Sequence, residues 1–497
     1  MNTLGISAGF HDAALSVIDN TGDILFAGHS ERYSLKKNDS FVHPDLLKEA
    51  LGYGEIKHIA WYERPWMRNL QHIRSGQYDF KPNTVSGNLR YYLGSRHLGV
   101  AKTCYSHHLS HAAAGFQTSN FDEAAVVVID AIGELDTISI YSARYDSAGE
   151  ARYKRLWRQR YPHSIGLFYS AVTQAVGLKP MEEEYITMGM AAYGSDLMAS
   201  VLEYDELENS STAEFRNNLH IGFDKQALKR YYQTADSKEN FAASAQRLTE
   251  KLILGVMRRA KQLTGSNNLV YMGGVALNCV ANSRIGSVFP NIWIMPNPGD
   301  AGSSLGAAAL AYGGKLNWQS AYLGTDIPGD YPVKPLLDVL LTDCIAGVAS
   351  GRAEFGPRAL GNRSLLADPR GSDIKDQVNE IKRRQKFRPF APAILEEHVD
   401  EYFVMPNGFP DSRYMQCVAK VKYPSRFPAI THADGTARVQ TVPNDGSGFR
   451  QLLEAWYVLT GCPMLLNTSL NIRGEPMVNT REDADRFEAE YGVRVCS

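Results

Sequence analysis

His107 and His111 stand four residues apart in the run His107-His108-Leu109-Ser110-His111, and three alanines follow. Alanine favours helix, and helical positions i and i+4 share a face, so the two imidazoles can converge on one ion. A histidine pair alone is common on surfaces and in satisfied cores, so the nearby acids matter. Asp130 closes the apolar run of residues 124–129, the pattern of a buried strand presenting a carboxylate at its tip. Asp300 lies in Asn297-Pro298-Gly299-Asp300-Ala301-Gly302, a glycine-rich turn ahead of a helical run over residues 303–311. Two imidazoles and two carboxylates make a mixed N/O set that suits iron or manganese better than structural zinc.

Glycines near both acids permit close approach of phosphate oxygens to backbone N–H groups. Gly273 and Gly274, with Asn278 behind them, and Gly302 are therefore candidates for holding a nucleotide. Tight packing of a strand against a helix explains the same glycines equally well. His11 sits in the turn Gly9-Phe10-His11-Asp12-Ala13, where a histidine beside an acid could form a general base and its orienter. Adjacent residues rarely share a strand face, so taken alone His11 and Asp12 read as a polar turn.

The C-terminal third is dense in arginine: Arg352, Arg358, Arg363, Arg370, Arg383, Arg384 and Arg388, then Arg438 and Arg473. Guanidinium forks match phosphate and carboxylate oxygens. Arg438 and Arg473 lie among apolar neighbours with few acids, and buried cations need partners. A phosphate-bearing ligand is one partner and internal salt bridges are another. The charge run 382–386 reads as a solvated helix face or, with Phe387 and Phe390, as a contact for nucleic acid.

The elements that must position these groups alternate in type. Residues 4–8, 13–18 and 24–27 form strand–turn–strand–turn–strand grammar, and 124–130 and 269–272 are further buried strands. Residues 241–264 carry a 3.6-residue apolar period ending at Gly265, a C-cap. Strands interleaved with helices argue for an α/β fold. At 497 residues the chain exceeds one core, and Pro and Gly clustered over 324–332 mark a boundary. A net charge of −2 leaves no global footprint of a nucleic-acid binder. Six singly scattered cysteines form no Cys-x-x-Cys pair and fit a reducing cytoplasm. A signal peptide and a membrane span are not expected.

Together the segments resemble the NodU/CmcH family of ATP-dependent O-carbamoyltransferases, from Leu4 to about Asp485. The carriers include residues 9–14, the pair Glu31-Arg32, residues 107–112, 185–194, 273–284 and 298–302. In the C-terminal part they are 356–364, 387–392, 434–440 and 465–476. The resemblance implies an actin-like ATPase domain (ribonuclease H-like, duplicated) over 1–324, a linker over 325–335 and a YrdC-like α/β domain over 336–497. It implies that carbamoyl phosphate and ATP, with magnesium, are joined into carbamoyl-adenylate in the C-terminal domain. The carbamoyl group then passes to an acceptor hydroxyl in the N-terminal domain. His107, His111, Asp130 and Asp300 match positions that hold Fe(II) or another divalent transition metal. His11 matches the histidine implicated in transfer. Arg358, Lys382, Arg388 and Arg438 match positions expected to hold carbamoyl phosphate or the adenylate, and Ser469 and Arg473 are assigned beside them. Of these, Lys382 and Ser469 join His11 as expected catalytic residues.

The sequence departs from the family where Tyr185 is followed by Ile186 in place of a lysine, and where Met190-Ala191-Ala192-Tyr193-Gly194 replaces Leu-Ala-Pro-Tyr-Gly. The weakly patterned stretch 195–240 is expected to help set acceptor specificity. Acceptors that fit are a secondary metabolite, a sugar, or a hydroxymethylpyrimidine in a nucleotide or DNA. A homodimer without membrane attachment is an assembly this reading admits. The alternatives are a threonylcarbamoyl-transfer-like tRNA modification enzyme and a nucleotide-binding regulator without catalysis.

Overall fold

The computed structural model describes residues 2–74, 76, 78–94 and 99–497. The chain forms two compact units. Unit 1 comprises Met1–Ser30 and Asn38–Gln319, and unit 2 comprises Glu31–Lys37 and Ser320–Ser497.

Unit 1 holds two five-stranded sheets of the same design. The first contains β1 (Asn2–Ser7), β2 (Ala14–Ile18), β3 (Ile24–His29), β4 (Ile56–Trp61) and β5 (Ala101–Cys104) in the order β3-β2-β1-β4-β5. The second contains β6 (Glu123–Gly133), β7 (Asp136–Tyr145), β8 (Ala151–Arg160), β9 (Asn268–Met272) and β10 (Asn291–Trp293) in the order β10-β9-β6-β7-β8. In each, the first three strands are antiparallel and the last two add in parallel to the first. This repeat of one topology is the duplicated ribonuclease H-like arrangement expected of an actin-like domain. Residues 124–129 of β6 are all buried, which explains their unbroken apolar run, and Asp130 at its end is buried with them.

Three helices then place the site. Helix α1 (His107–Phe116) begins at the first histidine. Helix α2 (Lys238–Thr264) is capped by Ser237, whose side chain accepts from Asn240 N, and ends at Gly265 with φ +67°. It buries Phe241, Ala245, Leu248, Leu252, Val256 and Ala260 of the face predicted from the period, while Leu263, the last residue of that period, is exposed in the helix's final turn. Helix α3 (Gly302–Tyr312) packs against β1, β2 and α1. Its small residues allow that approach: a Cβ on Gly306 would lie 1.8 Å from Ser110 O, and one on Gly5 of β1 would lie 1.9 Å from Ser304 O. The glycine and alanine content of this helix therefore brings Asp300, just before it, up to the histidines of α1. Ile186, on the helix Glu184–Ala191, is buried, so that position belongs to the core here. The stretch 195–240 contains short helices and a two-stranded ribbon.

Unit 2 is a mixed six-stranded sheet with β11 (Ile345–Ala349), β12 (Arg363–Ala367), β13 (Ala391–Leu395), β14 (Gln440–Val442), β15 (Met464–Ser469) and β16 (Val495–Cys496), ordered β14-β13-β15-β12-β11-β16. The segment 325–335, expected as a linker, falls inside this unit. The strand Tyr322–Ile327 pairs with Gly351–Glu354, and the helix Val333–Asp343 starts within the segment. Its Pro and Gly cluster marks the turn between those two elements. Glu31–Lys37 also belongs here: Arg32 Nη2 donates to Gly356 O at 2.8 Å, and the Tyr33 and Thr325 hydroxyls are 2.8 Å apart. No described helix is long and apolar enough to cross a membrane.

Candidate active site

His107, His111, Asp130 and Asp300 come together as a buried quartet whose ligand atoms all lie within 4.8 Å of one another. His107 Nε2 and His111 Nε2 are 3.1 Å apart. Each imidazole reaches both acids: His107 Nε2 lies 3.2 Å from Asp130 Oδ2 and Asp300 Oδ1, and His111 Nε2 lies 3.3 Å from the same atoms. Donors about 2.0–2.2 Å from one ion stand roughly 3.0–3.5 Å apart at tetrahedral or cis-octahedral angles, so the quartet has the dimensions of a ligand set. The donor types fit a divalent transition metal. Burial disfavours charge on His107 and His111, yet the two acids raise both above the usual imidazole range. Burial likewise opposes the carboxylates, while the imidazoles hold Asp130 and Asp300 below theirs. His108 is turned away. Its Nδ1 lies 2.8 Å from Ser139 Oγ, and burial with neighbouring His107 keeps it neutral.

His11 pairs with Asp12 after all, Nδ1 to Oδ2 at 2.9 Å. Asp12 has φ +57°, and this left-handed turn folds two adjacent side chains together, which an extended strand would not. Burial works against the imidazolium, but Asp12, with Asp300 and Asp130 adding their fields, pushes His11 up to about 10. Gly9 supports this turn at φ +105°. A Cβ there would come 2.7 Å from Tyr92 Oη and 2.9 Å from Arg68 Nη1.

The four nucleotide candidates divide. Gly273 (φ +92°) abuts β6, with a would-be Cβ 2.2 Å from Ile129 O, and Gly274 N points to Asp130 Oδ1 at 3.4 Å. Both therefore border the quartet. Asn278 is tied to Gln246 and to Ala281 N, and Gly302 lets the chain pass Asn297 O. Sequence reasoning missed Glu63, which follows β4 as Asp130 ends the apolar run of β6. It is buried against Arg68 at 2.8 Å, and burial pushes it up to about 7 despite Arg68 and His107. An acid closing the apolar end of β4 was the signal available.

In unit 2, Lys382 is buried at the C-cap of α4 (Ile374–Ile381), not solvated. Its Nζ meets neutral oxygens: Ser469 O, Ser469 Oγ at 3.3 Å, Asn471 O at 2.8 Å and Asn471 Oδ1 at 2.9 Å. Burial, then Arg384, Arg388 and Lys37, holds it well below the usual lysine range. Ser469 Oγ donates to Asn471 Oδ1 at 2.6 Å, so Asn471 organises both, and its role was not legible as a motif. Arg473 is exposed, contrary to the apolar setting expected for it, and its backbone N donates to Lys382 O at 3.0 Å. Arg438 ends the short strand Thr436–Arg438, while Arg358 lies beyond Gly356. Part of the arginine density is structural: Arg363 is fully buried among backbone carbonyls, Arg352 donates to Leu323 O and Gly324 O, and Arg370 pairs with Asp368.

Residues 89–309 match the family described as Carbamoyltransferase N-terminus, and residues 337–496 match Carbamoyltransferase C-terminus. The chain belongs to the carbamoyltransferase family. It is 32% identical to the nodulation protein NolNO of Sinorhizobium fredii, over 95% of this chain and 76% of that protein. It is also 32% identical to an uncharacterised Synechocystis protein, over 97% and 93% of the two chains. The 3′-hydroxymethylcephem-O-carbamoyltransferase of Amycolatopsis lactamdurans is 28% identical over 97% of this chain and 95% of its own. This carbamoyltransferase is an enzyme that moves a carbamoyl group onto an acceptor hydroxyl.

Proposed function

We propose that this carbamoyltransferase works in two steps. Unit 2 takes carbamoyl phosphate, water and ATP, the last carried with magnesium, to carbamoyl-adenylate: water releases inorganic phosphate from carbamoyl phosphate, and the carbamate left behind attacks the α-phosphorus of ATP and displaces pyrophosphate. Unit 1 then passes the carbamoyl group to an acceptor hydroxyl, and AMP leaves. A carbamoyl group is a poor electrophile, and the mixed anhydride supplies a better leaving group.

The observation that carries the first step is Lys382. A buried ammonium among neutral oxygens, with cations around it, is costly until an anion arrives. Carbamoyl phosphate or the adenylate is that anion, with Arg358, Arg388, Arg438 and Arg473 opposing its remaining charge and Ser469 hydrogen-bonding to it. Such a unit performs the chemistry of a YrdC-like synthase. In unit 1, His107, His111, Asp130 and Asp300 would hold Fe(II) or another divalent transition metal, which supplies positive charge for phosphate oxygens when bound. Gly273 and Gly274 offer backbone to the same phosphates. A cation held by the quartet would offset the fields of Asp130 and Asp300 that help keep His11 protonated, and the neutral imidazole would then take the hydroxyl proton at Nε2 while Asp12 holds Nδ1 and fixes the tautomer. The compartment is a reducing cytoplasm, a reading supported by six free cysteines.

The test is mass spectrometry of the protein incubated with ATP, magnesium and carbamoyl phosphate without acceptor. Carbamoyl-adenylate and pyrophosphate are expected. Their absence from folded, metal-replete protein would sink the two-step scheme.

A further inference from the structure

The hairpin that carries Asp130 also carries a cationic cluster that the transfer chemistry has not used. Strand β6 ends at Gly133, Glu134 turns the chain at φ +59°, and Asp136 opens β7 as the cross-strand partner of Gly133. A Cβ on Gly133 would lie 2.6 Å from His107 Cδ2, so this backbone touches an imidazole of the quartet. Partner Cα atoms in an antiparallel ladder are about 5 Å apart, which puts Asp136 within roughly 10 Å of the quartet.

Strand β8, next in the sheet, brings three guanidiniums to the Asp136 carboxylate. Arg155 Nη1 lies at 3.1 Å, Arg160 Nε at 3.6 Å and Arg158 Nη1 at 3.9 Å. Beside them Arg64 is forked onto the buried Glu134. Four cations thus meet two carboxylates, a surplus of two positive charges. The layering is equally uneven. Asp136 is 13% exposed while the three β8 arginines are 35–48% exposed, so the carboxylate lies beneath and the forks reach solvent. Burial lowers Arg158, Asp136 opposes that, and the fields of Arg155 and Arg160 lower it again, so the three cations share one carboxylate. One arginine would satisfy Asp136. Three held around it form a preorganised socket for a second oxyanion.

We propose that Arg155, Arg158 and Arg160 bind a phosphate monoester carried by the acceptor, so that the substrate of this enzyme is a phosphorylated hydroxy compound. This rests on reading unit 1 as the transfer site. A phosphate monoester carries about −1.5 to −2 charges at neutral pH, which matches the surplus, whereas a carboxylate would leave one cation unopposed. The span of roughly 10 Å between socket and quartet suits a sugar phosphate or a mononucleotide whose hydroxyl lies at the far end from its phosphate.

The experiment is calorimetry on the full-length protein, saturated with carbamoyl phosphate, using glucose 6-phosphate, glucuronate and glucose as probes on one scaffold. Glucose 6-phosphate is expected to bind at least about tenfold tighter than glucose, and R155Q/R158Q is expected to erase that preference. Asp136→Asn, which removes the competing carboxylate, is expected to tighten glucose 6-phosphate severalfold, a gain that a merely structural ion-pair network would not produce. Equal binding of the three probes, or a preference that survives in R155Q/R158Q, would overturn the proposal. Glucuronate binding as tightly as the phosphate would overturn it in favour of a carboxylate acceptor. A single-stranded oligonucleotide that outcompetes glucose 6-phosphate with a steep salt dependence would overturn it in favour of a nucleic-acid track. Acceptor-free carbamoyl-adenylate formation by the same wild-type preparation reads the two-step scheme separately, so the two ideas can fail independently.

Discussion

The two units solve opposite electrostatic problems. In unit 1 two acids and two imidazoles are compressed to 3.2–3.3 Å with the charges of each kind opposed, an arrangement that invites a cation. In unit 2 a buried lysine faces neutral oxygens and feels three further cations, an arrangement that invites an anion. The lesson is that desolvation creates each preference and the neighbouring charges choose its sign. On the two-step scheme proposed above, a single polarity would not serve, because phosphate-bearing substrates are gathered in one unit and the carbamoyl group is transferred beside a metal-sized cluster in the other.

The strongest way to break this contrast is Lys382→Ala. Carbamoyl-adenylate formation is expected to fall by about 10³-fold or more, read by mass spectrometry, because the buried cation nearest the developing charge is lost. An unaffected first step would remove the lysine from the site. Next is His11→Asn, expected to slow carbamoyl transfer by about 10²–10⁴-fold while adenylate still forms. Equal loss of both steps would show that His11 acts elsewhere. Asp300→Asn should weaken metal retention by about 100-fold or more, measured by elemental analysis after dialysis, since it removes one of two anionic donors. Full retention of metal by that variant would argue against the quartet as a ligand set.

Smaller effects sharpen the picture. Gly273→Ala places a methyl group 2.2 Å from Ile129 O at φ +92°, and a loss of about 1–3 kcal/mol in denaturant unfolding is expected. The smallest concerns His432. Burial lowers it to about 4, opposed by Asp434 and aided by Arg438 and Lys375. The folded state therefore keeps it neutral where the unfolded chain takes up a proton. Its contribution is intact above about 6.5 and is lost as the pH falls toward 4. His432→Gln should flatten the stability profile in that window, and an unchanged profile would remove this histidine from the balance.

Much of the candidate metal site was legible before any coordinates. The spacing of His107 and His111 follows from helical periodicity, and Asp130 ends a run whose apolar character shows burial on both faces of a sheet. Both are local consequences of residue type. The strand grammar at the N-terminus and the period of α2 were legible for the same reason. The His11–Asp12 pair was not, because it depends on a left-handed φ at a non-glycine residue, which local propensity disfavours and surrounding packing imposes. Nor was the solvent exposure of Arg473, since a basic residue in an apolar stretch can face either way.

Side-chain type, periodicity and the long motifs that match the carbamoyltransferases already mark which residues could do chemistry. Which of them meet depends on packing across the fold. Asp300 reaches His107 because the small residues of α3 let it pack against α1 and β1, and Glu31–Lys37 joins unit 2 although it lies hundreds of residues away along the chain. Local rules fix periods of two and 3.6 residues, whereas contacts across such distances are set by close packing of whole elements, which no short window of sequence contains.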